Sequence, residues 1–117
     1  MLGYAVGNDV SHRDWQIKRG GGQWSLGKGF DGWAPYGPGI VTSEVIKDPH
    51  NLTIWTKLNG EKMQVSIGSQ PAAGEGHADA VGQESNTGDM IFNVKKTISF
   101  LSQGHTLLPG DLIFTGT

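Results

Sequence analysis

The chain has 117 residues, with 9 Lys and Arg against 11 Asp and Glu, and a formal net charge of −2 gives no basic footprint for nucleic acid or an anionic membrane surface. It contains no Cys, which excludes a disulfide scaffold, a thiolate metal site and a thiol nucleophile. Hydrophobic residues make up only 36% and Gly is abundant at 19, so the expected fold is mainly β with short helices (α+β), long enough to bury a core of its own.

Residues 2–10 read as a strand, apolar but interrupted by Gly3 and Gly7, where backbones pass closely. Residues 11–19 suit a short helix with Ser11 as N-cap, and Gly20-Gly21-Gly22 ends it. On such a helix Arg13 and Gln16, three apart, share a face and can address one ligand. Residues 20–39 hold too much Gly and Pro for a regular element; Trp24, Phe30 and Trp33 are expected to pin this loop by packing. A short β-like run covers Gly39 to Thr42, and a polar connection follows as far as Asn51.

From Leu52 to Leu58 the residues alternate with the strand period, Leu52, Ile54 and Leu58 on one face. Asn59-Gly60 follows directly, a turn pair suited to φ > 0 at both positions, so Glu61 to Gln64 is the returning strand of a hairpin. Residues 65–83 break the pattern. They have little apolar bulk and no period, and Glu75, His77 and Asp79 lack a fourth partner for a metal clip. A helix is expected after Asn93, its cap, with Val94, Ile98 and Leu101 on one face and Gly104 as its stop. Pro109-Gly110-Asp111 is a turn, and Leu112 to Thr115 a final strand.

The chemistry concentrates between Gly7 and Lys28, where the first strand delivers a carboxylate (Asp9), a guanidinium (Arg13), an amide (Gln16) and an ammonium (Lys28). A carboxylate at a strand end suits a hard cation such as Mg²⁺, Arg13 offers a planar fork to a carboxylate, and Lys28 a compact charge. Together they suit an anionic oxo acid whose enolate needs stabilising.

Asn8-Asp9-Val10-Ser11-His12-Arg13-Asp14-Trp15-Gln16 resembles the N-D-x-S-A-R-D-x-Q signature of the fumarylacetoacetate hydrolase superfamily, and Gly27-Lys28-Gly29-Phe30-Asp31 its G-K-[ST]-F-D segment. Asp48-Pro49-His50-Asn51-Leu52, Leu58-Asn59-Gly60-Glu61, Met90-Ile91-Phe92 and Pro109 to Thr117 follow in family order, leaving out residues 65–83. The nearest branch is that of the fumarylacetoacetate hydrolase domain-containing proteins. The resemblance implies a partial C-terminal catalytic domain over 1–117, of a mixed, rolled-up β type that is usually a homodimer. It also implies Mg²⁺ or Mn²⁺ held by three carboxylates, of which Asp9 is one and an upstream Glu-x-Glu pair supplies the others. Only eight residues precede Asp9, so the expectation is a fragment.

By the same resemblance Lys28 is the catalytic proton shuttle, Arg13 and Gln16 orient substrate oxygens, and Thr117 gives a hydroxyl to the substrate carboxylate. Gly32 stands where the family has Thr, and His12 replaces a small residue and is assigned no role. The implied substrate is a small 2-oxo acid. Oxaloacetate keto–enol tautomerisation is the leading reading, with acylpyruvate or fumarylacetoacetate-type C–C hydrolysis or oxaloacetate decarboxylation as alternatives, and a non-catalytic fragment as another. Neither nucleic acid nor membrane is an expected partner. No apolar run approaches the roughly 20 residues of a membrane span and Met1-Leu2-Gly3 lacks a basic flank, so an intracellular chain, cytosolic or mitochondrial, is expected.

Removing 65–83 would join Gln64 to Glu84 and restore the family's short Q-x-x-N-T connection. Val65-Ser66 can be encoded GTGAGT and Gln83 CAG, the ends expected of an unspliced intron, so the segment is expected to be a non-native insert, with a genuine surface loop as the alternative.

Overall fold

The computed structural model describes residues 1–64 and 85–116, which form two compact units, one of residues 1–47 with Gly116 and the other of the described residues between Asp48 and Thr115. The expected insert at 65–83 and Thr117 lie outside the described residues. The described residues form short strands with few helices, as the composition implies. The strands pair into three two-stranded antiparallel ladders.

In the first unit β1 (Gly3–Gly7) runs against β2 (Tyr36–Thr42), with Gly3 opposite Thr42 and Gly7 opposite Tyr36. β1 stops short of residue 10: the Asn8 N–H still meets the Pro35 carbonyl at 2.9 Å, and the Val10 N–H then turns back to the Asn8 carbonyl at 3.0 Å. β2 starts earlier than Gly39, inside the Pro- and Gly-rich stretch. The register slips between Tyr4 and Val6, a bulge that leaves Pro38, which has no N–H to give, between the paired positions. At Gly3 the backbones touch: a Cβ there would lie 2.2 Å from the Val41 carbonyl oxygen.

The helix expected over 11–19 begins later and is wound differently. Asp14–Arg19 form a π-helix, preceded by Arg13 in helical conformation and without a side-chain cap. Ser11 is therefore not its N-cap. Gly20 ends the helix as expected, and Gly21 and Gly22 follow at φ 59 and 83, values that favour glycine. The following stretch is not wholly irregular, since Trp24–Gly27 form a 3₁₀ turn. Phe30 does pin this segment, with its ring 4.7 Å from Trp33, 6.2 Å from Trp15 and 6.0 Å from His12. Trp24, by contrast, is 61% exposed.

In the second unit the expected strand 52–58 is two strands. β3 (Thr53–Ile54) pairs with β6 (Ser85–Asn86), and β4 (Thr56–Leu58) with β5 (Glu61–Gln64). Trp55 separates them. The Asn59-Gly60 turn is as expected, with φ 52 and 90. Asn86 caps a 3₁₀ turn over Thr87–Asp89, accepting from Gly88 N–H at 2.8 Å while Asp89 accepts from Asn86 N–H.

Helix α1 (Val94–Leu101) forms where expected, its Asn93 side chain accepting the Lys96 N–H at 2.9 Å. Val94, Ile98 and Leu101 are half-buried while Phe100 is exposed, so the anticipated face is the covered one. His50 adds a second cap: Val94 N–H donates to its Nε2 at 3.1 Å, which puts the ring proton on Nδ1, facing Asp48 at 3.5 Å. The turn before Asp111 forms too, with Leu108 N–H on the Asp111 carboxylate at 2.8 Å. Leu112 to Thr115 are not a strand. Nor is the expected core there: among the described residues no apolar side chain is buried, and the buried side chains, Gln16 and Ser85, are polar. Two-stranded ribbons have too few strands to enclose a core between layers.

Candidate functional site

β1 leads into a tight turn in which the Val10 N–H donates to the Asn8 carbonyl at 3.0 Å, and Asp9 sits at its apex. The chain then folds against the 3₁₀ turn. His12 N–H donates to the Gly27 carbonyl at 2.8 Å, and the His12 carbonyl accepts from Gln16 N–H at 2.9 Å. Gly27 is buried with no room for a side chain, since a Cβ would lie 2.6 Å from Gln16 Cβ and 2.7 Å from Gln16 N. Only glycine allows this approach, and it places the next residue, Lys28, beside the Asp9 turn.

Lys28 Nζ there donates to Asp9 Oδ2 and, at 2.8 Å, to Ser11 Oγ. Ser11 Oγ in turn donates to the Asp9 carbonyl, at 3.1 Å. The ion pair is reachable from solvent, with the Lys28 and Asp9 side chains 27% and 34% exposed. An ammonium has three N–H donors, so two are engaged and, among the described residues, the third is available.

Arg13 and Gln16 also come together, but on each other: Arg13 Nη1 donates to Gln16 Oε1 at 2.6 Å, and Gln16 is 1% exposed. The buried amide thus holds the guanidinium, whose other donors remain for a carboxylate. Of the residues singled out in the sequence, Asp9 with Lys28 and Arg13 with Gln16 form two pairs within one short segment. Ser11 was missed as a site residue, although its place two residues after Asp9 was the available signal. His12 has a contact as well, its ring stacked on Phe30. Asp14 and Lys18 form an exposed bridge at 3.0 Å, of the kind that contributes little. A groove of about 310 Å³ is lined by Val6, Asn8, Tyr36 and Pro38, alongside the residues that lead to Asp9.

The model of the fumarylacetoacetate (FAA) hydrolase C-terminal family matches residues 1–73 and 77–117, and thus all of this cluster. The chain belongs to that family. Among its relatives, oxaloacetate tautomerase FAHD2A, mitochondrial, of Bos taurus is 44% identical over the whole chain and 31% of its own length. Oxaloacetate tautomerase fahd2, mitochondrial, of Xenopus laevis is 43% identical over the whole chain and 31% of its own length. The fumarylacetoacetate hydrolase domain-containing protein 2 homolog of Dictyostelium discoideum is 43% identical over the whole chain and 35% of its own length. The chain therefore spans about a third of the length of these relatives.

For a divalent cation the donor type fits but the number does not. Asp9 is a hard oxygen donor, yet one of its oxygens already holds Lys28. Among the described residues no group of three or more His, Cys, Asp or Glu side chains is placed to hold a metal ion. Mg²⁺ dehydrates reluctantly and needs several fixed oxygens. These residues alone do not make its site.

Proposed function

We propose that the chain carries the lysine-centred part of a site for 2-oxo acids, and that the reaction is keto–enol tautomerisation of oxaloacetate. The observation that carries this reading is the Lys28 ammonium, held by Asp9 and Ser11 with one N–H still available among the described residues. The names of the Bos taurus and Xenopus laevis relatives support the substrate.

In the enol-to-keto direction Lys28 Nζ–H gives its proton to C3 of the enol, and the amine so formed takes the proton from the C2 hydroxyl, which becomes the carbonyl. The lysine ends as it began, and no atom is gained or lost. One amine can serve both positions because C3 and the C2 oxygen share a carbon neighbour. Arg13, oriented by Gln16, holds a substrate carboxylate through its remaining donors. Asp9 keeps the ammonium aimed and balances its charge. The hydroxyl that the family resemblance implies for Thr117 lies outside the described residues. Tautomerisation is preferred to C–C hydrolysis because it needs no activated water.

A Mg²⁺ or Mn²⁺ ion with Asp9 among its ligands, a mixed β-roll, a homodimer and a mitochondrial location are proposed for a chain of the relatives' full length, and no step above depends on them. The test is the decay of enol absorbance with oxaloacetate. Lys28→Met is expected to lower kcat by about 10²-fold or more, and Arg13→Ala to raise KM with a smaller change in kcat. An unchanged rate in Lys28→Met would remove the lysine from the mechanism.

A further inference from the structure

We propose that Ser11 is a positioning residue for Lys28, an inference that rests on the reading of Lys28 as the proton shuttle. A lysine amine rides on four flexible carbons, and a single partly exposed carboxylate leaves it free to swing about that contact. Ser11 supplies the second anchor, 2.8 Å from Nζ. Its geometry suits an acceptor role. The single hydroxyl proton is committed to the Asp9 carbonyl at 3.1 Å, so lone pairs face the ammonium. The hydroxyl is not spent on helix capping, because the π-helix starts at Asp14 without a side-chain cap. Two anchors, one carboxylate and one hydroxyl, fix where the third N–H of Lys28 points. That direction is what proton delivery to a carbon requires.

A merely structural Ser11 would steady the turn through the Asp9 carbonyl and leave the amine indifferent. The two roles separate by experiment on the protein as it stands, labelled with ¹⁵N-lysine, in Ser11→Val and its isostere Ser11→Thr. Exchange of the Lys28 Nζ protons with water is expected to quicken by about tenfold in Ser11→Val, as loss of a hydrogen bond to a charged group implies, and to stay near wild type in Ser11→Thr. Emission from Trp15, whose ring lies 6.2 Å from that of Phe30, reports whether the helix is intact in every variant. In enol decay, Ser11→Val is expected to lower kcat by about tenfold with KM within about twofold, and Ser11→Thr to retain activity.

Equal Lys28 exchange in wild type and Ser11→Val overturns the assignment. So does a kcat that falls in Lys28→Met but not in Ser11→Val. If Lys28→Met has no effect on the rate, it is the catalytic reading that fails, and the exchange measurement still decides whether Ser11 holds the amine.

Discussion

Gly27→Ala is the most discriminating perturbation of this site, because two effects of opposite sign compete there. Gly27 has no left-handed backbone, so alanine would ordinarily stabilise by about 0.4–1 kcal/mol through a less flexible unfolded chain. Against that, the new methyl would stand 2.6 Å from Gln16 Cβ, 2.7 Å from Gln16 N and 2.8 Å from Gln16 Cα. Two of those atoms are π-helix backbone, so a flexible side-chain tip cannot simply swing aside. Overpacking of this kind costs about 1–3 kcal/mol, so a net loss of about 1–2 kcal/mol is expected. Gly29→Ala is the control, since its methyl would meet only the Ser25 carbonyl oxygen at 3.4 Å. The assay is urea denaturation followed by tryptophan emission, with Trp15 and Trp33 both against Phe30. Gly27→Ala should lower the midpoint and Gly29→Ala leave it level or higher. Stabilisation by Gly27→Ala would refute the close approach of the 3₁₀ turn to the π-helix.

The caps of α1 give a second expectation: Asn93→Ala and His50→Ala should each destabilise by about 1 kcal/mol, read as a lower denaturation midpoint. Calorimetric titration of the 117-residue chain with Mg²⁺ or Mn²⁺ should show weak binding or none; micromolar binding abolished by Asp9→Asn would contradict the donor count. Deleting residues 65–83 should leave the denaturation midpoint unchanged within about 0.5 kcal/mol, and mature transcripts should lack the codons; transcripts that carry them throughout would make the segment native.

What was legible in the sequence was local. Asn59-Gly60 dictates its own turn, Asn93 its own cap, and Asp111 the turn it closes, each within a few residues. The pairing of Asp9 with Lys28 was legible only as two motifs; their contact depends on Gly27 lying against Gln16, a packing fact with no periodic signature. Ser11 was misplaced because a hydroxyl before an amphipathic run usually caps it, whereas here the run begins at Asp14 with i→i+5 winding. The break at Trp55 and the missing strand at Leu112 to Thr115 share a cause, for a strand exists only with a partner, and partners are chosen over long distances.

The break at Trp55 also bears on how this region tolerates change in length. β5 ends the ladder it shares with β4, and β6 opens a different ladder with β3. The described residues at the two ends of the link, Gln64 and Ser85, thus belong to different ladders. Lengthening it costs only the slow logarithm of loop closure, about 0.6 kcal/mol for each doubling. A change of length between Gln64 and Ser85 is expected to leave Thr53 opposite Asn86 and Leu58 opposite Glu61. An in-frame gain or loss of codons would find little resistance here, whereas one residue added at Asn59-Gly60 would re-register the hairpin.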